Sequence, residues 1–488
     1  MFSSRNWRGL AAALLAVIAL TARADDDRFE LKFSRTYTFR GGKITLDNKF
    51  GDVVVRTTSG HQFNVRATIR ASDPEFGQKI RIETSHDDAS GITVRTVYPE
   101  HRGRQFGDAS FSVNYQVSVP ENAPLDISNK FGNVDVSSMK AAVKIEASQG
   151  SVKVREGKGA LVVENAFGTI DVQGNAGNTI IKNSNGSVTA RDIGGNLEIT
   201  NRFASVNVSD AKRNVIVNNS NGSVDARDVG GSATITNSFA GVNASGIHGP
   251  LAVTTSNGRV DVRDIGGQTT IRNSFGSVSA SNIGGALSVN SQNSRVDARS
   301  VKGPATVVTS FGSASLNDIS GPAAVTNANG AITVADVDGN FTANTRFGSV
   351  RGDRIKGAAN VENANGAVNL TAVDNGARVR TSFASAFLSD IGGAVDVQNQ
   401  NGAISLSGLR GTNCHTVSLK TSFSSIRVAV RNGTGYAVNA RTSFGRITTA
   451  LPITTSSVSD ETLIGKIGNG ACKLDLVNAN GSISIDNE

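Results

Sequence analysis

An 18-residue repeat runs without interruption from Phe131 to Asn401. A phenylalanine recurs in steps of 36 residues, and an amide side chain recurs midway between successive phenylalanines. The phenylalanines are Phe131, Phe167, Phe203, Phe239, Phe275, Phe311, Phe347 and Phe383, and the asparagines are Asn185, Asn221, Asn257, Asn293, Asn329, Asn365 and Asn401. Both half-repeats share one frame, so the elementary unit has 18 residues and a pair of units has 36.

Each unit has the pattern of β-strands. Between residues 185 and 201, Val188 and Ala190 alternate with polar residues, and Leu197 and Ile199 do the same. Alternation with a period of two is typical of half-buried strands. The Gly194-Gly195 and Asn185-Gly186 pairs predict turns that need a positive φ. One unit is therefore expected to form two short strands joined by turns.

A unit of this size cannot bury its own apolar face, so neighbouring units must bury it by stacking. The sequence predicts an all-β fold, a parallel β-solenoid in which each coil rises by about 4.8 Å. Right-handed winding is favoured for parallel crossovers. An antiparallel meander of hairpins is the alternative. It is less favoured because an invariant step places like residues above like residues.

The two ends of the chain depart from the repeat. Residues 1–24 have the charged start, the apolar run and the Ala22-Arg23-Ala24 ending of a secretory signal peptide. Residues 25–125 are predicted to form an N-terminal β capping domain, and residues 126–408 the regular solenoid. Residues 409–488 are predicted to form degenerate C-terminal coils and a cap, because the phenylalanine spacing changes to 40 and then 21. We expect an exported protein of the periplasm, the cell surface or the medium, with no transmembrane segment.

The corner residues are predicted to pack inside the coils. Two residues before each corner stands a second polar column, which includes Asn183, Asn201, Asn219, Asn237, Thr255 and Asn273. Strand parity predicts that both columns face inward, with asparagine amides satisfying turn backbone groups and phenylalanines filling volume. The alternative interpretation is an aromatic column that binds a ligand.

The two ends and the middle carry motifs of a known family. The motifs are Gly41-Gly42, Leu46 to Asn48, Phe50 to Val53, Val117 to Pro120, Phe131 to Val134, Gly435-Tyr436, Thr442 to Gly445, Ile464-Gly465 and Asn480 to Ile483. In these the chain resembles the bacterial putative adhesins, a family of β-strand repeats whose function is unknown. The resemblance implies a β-repeat fold similar to adhesin head domains, and it supplies no catalytic residues.

Chemically reactive residues are few. The five histidines, His61, His86, His101, His248 and His415, have no metal-ligand spacing. The aspartates of the Asp-Ile/Val-Gly-Gly turns, such as Asp192 and Asp228, lack the spacing of calcium-binding nonapeptides and are predicted to cap turns. We therefore expect no metal, no cofactor and no catalytic residues. Whether Cys414 and Cys472 form a disulfide stays open, with two buried thiols as the alternative.

A basic stripe is the predicted binding surface. Arg191, Arg227, Arg263 and Arg299 recur every 36 residues and point outward on the first strand of the unit. Without residues 1–24 the chain has 46 basic and 41 acidic residues, a small excess that is spread along the sequence and does not predict nucleic-acid binding. The Arg351-Gly352-Asp353 tripeptide is predicted to be structural, with Gly352 facing inward.

These features predict an exported, non-enzymatic solenoid whose repetitive face binds polysaccharide or a cell-surface component. A periplasmic structural or envelope-stress scaffold is the first alternative. A polysaccharide-degrading β-helix enzyme is the second, because catalysis also occurs on this type of fold.

Overall fold

The computed structural model describes residues 29–99, 110–411, 414–431 and 433–488. The predicted signal peptide and His101 lie outside these ranges. The described residues form two compact units, which divide between Gly150 and Ser151. Within the described ranges, no helix is long and apolar enough to span a membrane.

The first unit is a mixed β structure with one short helix, Pro74–Lys79. Its strands are Phe29–Thr38, Lys43–Phe50, Val53–Thr58, Gln62–Ala71, Arg81–Asp87, Gly91–Val97, Phe111–Pro120, Leu125–Phe131, Val134–Ser137 and Val143–Gln149. The strand Gln62–Ala71 pairs antiparallel with Phe29–Thr38 and with Phe111–Pro120. The strands Leu125–Phe131 and Val143–Gln149 are parallel, and Leu125 lies beside Val143. These two residues are 18 positions apart, so the spacing of the repeat is already present in the first unit.

The second unit consists mainly of two parallel sheets, each of which takes one strand from every coil. The strands of the first sheet are Val152–Arg155, Ile170–Asn175, Val188–Ile193, Val206–Ala211, Val224–Val229, Val242–Ile247, Val260–Ile265, Val278–Ile283, Val296–Val301, Ala314–Ile319, Ile332–Val337, Val350–Ile355, Val368–Val373, Ala386–Ile391, Ile404–Leu409, Ile426–Val430, Ile447–Thr449 and Ile483–Asn487. Those of the second sheet are Leu161–Glu164, Thr179–Lys182, Leu197–Thr200, Val215–Asn218, Ala233–Asn237, Leu251–Thr255, Thr269–Phe275, Leu287–Asn293, Ala305–Thr309, Ala323–Asn327, Phe341–Thr345, Ala359–Asn363, Ala377–Thr381, Val395–Asn399, Val417–Thr421, Tyr436–Arg441, Thr454–Val458, Thr462–Ile467 and Cys472–Asn478.

The register confirms the predicted coil. Val188 lies beside Ile170 on one side and Val206 on the other, each 18 residues away, and all three strands are parallel. The chain is an all-β parallel solenoid of about 17 coils, and the antiparallel meander is wrong for the repeats. The core lies between the two sheets, where the alternating apolar residues such as Val188 and Leu197 are buried.

Gly186, Gly194 and Gly195 do not adopt the positive φ that the sequence predicts for them. The residue with positive φ in the turn at 192–195 is Asp192, at 53°, and equivalent turns use Asp228, Asp264 and Asp390 in the same way. Aspartate is among the non-glycine residues that tolerate this conformation best. Gly186 is needed for close stacking instead, because an added Cβ would lie 1.9 Å from the carbonyl oxygen of Gly168 in the preceding coil.

The C-terminal coils are irregular because segments are inserted between stacked strands. Val417 pairs with Leu474 instead of with a residue 18 positions later. The strand Thr462–Ile467 runs antiparallel to Tyr436–Arg441, which is itself parallel to Cys472–Asn478. Cys414 and Cys472 form a disulfide, so the pairing that the sequence left open is present.

Candidate binding face at the phenylalanine corner

The inner polar column of the corner is buried, as predicted. Asn183 donates its Nδ2 to the carbonyl oxygens of Gly168 and Gly186, at 2.9 and 2.8 Å. Asn219 binds the equivalent carbonyls of its own coil and the preceding one. Asn183 and Asn219 therefore each tie two successive corners together through backbone carbonyl oxygens.

The prediction that the corner phenylalanines pack inward is wrong. Phe203 is 55% exposed, Phe239 61% and Phe275 51%. The other exposed corner phenylalanines are Phe131, Phe167, Phe311, Phe347, Phe383, Phe423 and Phe444. The alternation of inward and outward side chains does not continue to the phenylalanines, because most strands of the second sheet end at or before the buried polar residue. The chain then bends, and the bend turns the next side chains outward.

The alternate corners carry asparagines, which are also at the surface rather than inside. Asn185 donates its backbone N–H and its Nδ2 to the carbonyl oxygen of Ala166, the residue that precedes Phe167. The same side-chain bond is made by Asn221, Asn329, Asn365 and Asn401 to the coil below. One amide N–H of each of these asparagines is thus bonded to the preceding coil, while the side-chain oxygen takes no part in this contact.

Phenylalanine and asparagine therefore alternate in one column along the solenoid axis. Phe275 and Asn293 are direct neighbours on adjacent parallel strands. Because hydrogen-bonded strands are about 4.8 Å apart, successive rings lie roughly 9 to 10 Å apart. We call the exposed rings from Phe167 to Phe383 in the second unit the phenylalanine column.

A groove runs beside the C-terminal part of this column and has a volume of about 830 Å³. One wall consists of outward side chains of the second sheet, including Asn344, Glu362, Arg380, Gln398 and Lys420. The other wall includes Arg346, Ser382 and Ser422, which immediately precede Phe347, Phe383 and Phe423. Arg380 is held by Asp396 at 2.5 Å, so part of its charge is neutralised.

The predicted arginine stripe exists as a geometric feature of the first sheet. Arg191, Arg227, Arg263 and Arg299 are exposed, and a serine lies between each pair, in direct register. Nearby carboxylates weaken the positive electrostatic potential of the stripe. Arg227 contacts Asp225 at 2.6 Å, and this hydrogen bond raises the pKa of Arg227. Asp261 and Asp297 bind other arginines, Arg259 and Arg295.

The remaining candidates have structural positions. Gly352 is buried, so the Arg351-Gly352-Asp353 tripeptide lies along a strand with its centre facing inward. The sulfur of Cys414 is bonded to that of Cys472, so neither cysteine has a free thiol. In the described part of the chain, no three histidine, cysteine, aspartate or glutamate side chains are grouped to hold a metal ion.

The fold and the corner geometry define a parallel β-solenoid that displays a periodic aromatic face. No family model and no curated protein matches the chain. A solved structure described as a "putative cell adhesion protein" from Clostridium sporogenes is similar at 11% identity with a TM-score of 0.24. The match covers 41% of this chain and 99% of that one.

The exposure of the rings predicts a small effect of truncation on stability. Phe275→Ala should change the free energy of unfolding by no more than about 0.5 kcal/mol, as is usual at the surface. Ile271→Ala, four residues earlier and buried, should lose about 2 to 5 kcal/mol. Urea unfolding followed by circular dichroism measures both. A loss at Phe275 comparable to that at Ile271 would contradict the exposed position of the ring.

Proposed function

We propose that this chain is an exported, non-enzymatic binding protein of the adhesin type, which attaches to a repetitive partner through the phenylalanine column. The observation that carries this proposal is the exposure of the same large apolar side chain at every second coil. Single exposed apolar residues are common, but here the same large ring recurs at a fixed interval along one face, which scattered exposure does not produce.

The repetition favours binding over catalysis. An active site needs one set of groups at one place, whereas this face offers the same ring many times. Contacts that are weak one by one add up on a partner with its own repeat, because the first contact raises the effective concentration for the next. Polysaccharides of the envelope or the extracellular matrix are the class of partner with this property that we propose.

Two features support export. Residues 1–24 have the pattern of a secretory signal. The disulfide between Cys414 and Cys472 is of a kind that persists in oxidising compartments and is rare in the cytosol. The expected location is the cell surface, the periplasm or the medium. Fractionation of cells that express the full chain, followed by N-terminal sequencing, tests it.

The binding role is tested with two multiple variants of the full mature chain. Phe203→Ser/Phe239→Ser/Phe275→Ser removes three successive rings, and Arg191→Ser/Arg227→Ser/Arg263→Ser/Arg299→Ser removes the predicted basic stripe. Binding to whole cells and to a panel of neutral and acidic polysaccharides is measured at low and physiological salt. We expect the ring variant to bind at least about tenfold more weakly, because several linked contacts are lost together.

The arginine variant shows whether the arginine stripe or the phenylalanine column carries the binding. If the stripe carries the binding, its removal lowers affinity for acidic polysaccharide and flattens the salt dependence. Full binding by the ring variant would contradict the proposal for the column. Absence of binding by the wild-type chain would favour the scaffold interpretation, and release of sugar from any polymer would favour the enzyme.

A further inference from the structure

We propose that the ligand of the phenylalanine column is a flat, uncharged β-1,4-linked polysaccharide that lies parallel to the solenoid axis, with one disaccharide over each pair of coils. This inference rests on the proposed binding function and names the chemistry of its partner. It follows from the spacing of the rings, from the groups between them and from the charge of the face.

The spacing of the rings favours a β-1,4-linked polysaccharide. Phe203, Phe239 and Phe275 occupy alternate coils, so they stand about two strand spacings apart, roughly 9 to 10 Å. In an extended β-1,4-linked chain, successive sugars are turned over, so the same face recurs once per disaccharide. That repeat is close to two strand spacings. An α-linked chain coils and does not keep a straight row of sugars above the rings.

The groups between the rings match the edges of such sugars. A pyranose with equatorial hydroxyls has an apolar C–H face and a polar rim. The rings offer apolar surfaces, and between them stand asparagines such as Asn221, whose amide nitrogen is already bound to the Arg202 carbonyl. The side-chain oxygen takes no part in that bond and can accept from a hydroxyl group. Serines that include Ser220, Ser238 and Ser274 precede the corners and extend the polar rim.

The same alternation disfavours other partners. A lipid surface or a protein partner is best covered by a contiguous apolar patch, and here an asparagine separates each ring from the next. The residues that immediately precede the corners from Ala166 to Gln400 are uncharged, with the exceptions of Arg202 and Arg346. Arg259 and Arg295, which follow two of the corners, are each paired with an aspartate, Asp261 and Asp297. A neutral polymer therefore suits this face better than an acidic one, which would suit the arginine stripe.

The decisive experiment changes the spacing between rings, from every second coil to adjacent coils at one point, and introduces no new kind of side chain. Deletion of residues 276–293 removes one coil and places Phe275 and Phe311 in adjacent coils, so the four rings from Phe167 to Phe275 fall out of phase with the three from Phe311 to Phe383. Deletion of residues 276–311 removes two coils and keeps six rings in phase, so it is the matched control. Repeat arrays tolerate the loss of whole repeats, because each contacts only its neighbours. Circular dichroism and the thermal midpoint check folding.

Binding to microcrystalline cellulose and chitin is compared with binding to α-linked amylose and dextran. We expect the two-coil deletion to bind within about twofold of wild type and the one-coil deletion to bind at least about fivefold more weakly, because fewer rings engage one chain. A second variant, Asn221→Phe/Phe239→Asn, moves one ring by a single coil at constant composition. It should lose affinity in the same direction even if the one-coil deletion misfolds.

The outcomes separate this inference from the proposed function. If Phe203→Ser/Phe239→Ser/Phe275→Ser abolishes binding while both phase variants bind normally, the face binds but the match in spacing is wrong. Equal binding to amylose and dextran also overturns it. If the ring variant binds cellulose and chitin like wild type, the proposed function of the column fails. A wild-type dimer that binds no polysaccharide and dissociates in the ring variant would identify a second copy as the partner.

Discussion

Replacing Phe341 by alanine is expected to destabilise the second unit by about 3 to 5 kcal/mol, the usual loss for a buried phenylalanine. The ring is fully buried in the core, unlike the corner phenylalanines. Its neighbours in the same column are small, Ala323 below and Ala359 above, and Gly352 faces it from the other sheet. These neighbours leave a space that the ring fills, so truncation creates a cavity. Chemical denaturation of the full chain measures the loss.

A double-mutant cycle with Gly352 provides the control. A Cβ added at Gly352 would lie 3.2 Å from the Phe341 ring and 2.9 Å from the Leu370 side chain, so Gly352→Ala alone should be destabilising. In the Phe341→Ala background the added methyl group has space, and the two losses should be less than additive, since contacting residues couple. Additive losses would contradict the packing of glycine against phenylalanine.

Removal of the disulfide is the second large effect that we expect. The bond between Cys414 and Cys472 spans 58 residues, and closing a loop of this length stabilises a fold by about 4 kcal/mol in the chain-entropy model. Cys414→Ser/Cys472→Ser should lose stability of that order. The loss should concentrate in the C-terminal coils, because the strand Cys472–Asn478 joins Val417–Thr421 and Tyr436–Arg441.

Hydrogen exchange followed by mass spectrometry measures this effect region by region. Protection of residues 414–488 should fall in the serine variant, while protection of the regular coils around Val260 should be unchanged. Wild type in reducing agent should match the variant, and the variant should not respond to reducing agent. Equal protection in the two proteins would show that the bond adds no stability.

The repeat in the sequence was sufficient to predict the coil. A step of 18 residues, with apolar residues at alternate positions, favours an arrangement in which the alternating apolar side chains are buried and like residues stack. The pairing of Val188 with Ile170 and Val206 follows directly from it. The burial of the inner column, from Asn183 onward, was predicted for the same reason, because it continues the alternation of Leu197 and Ile199.

The outward direction of Phe203 depends on the tertiary structure. Alternation holds only while the backbone stays extended, and the strand Leu197–Thr200 ends before this corner, where the chain bends around the Ala204 carbonyl that Asn201 and Asn219 bind. The buried amide of Asn201 lies on the inside of this bend, and the ring of Phe203 lies on the outside. Sequence periodicity identifies which residues recur together, whereas the path of the backbone between them determines whether they face the core or the solvent.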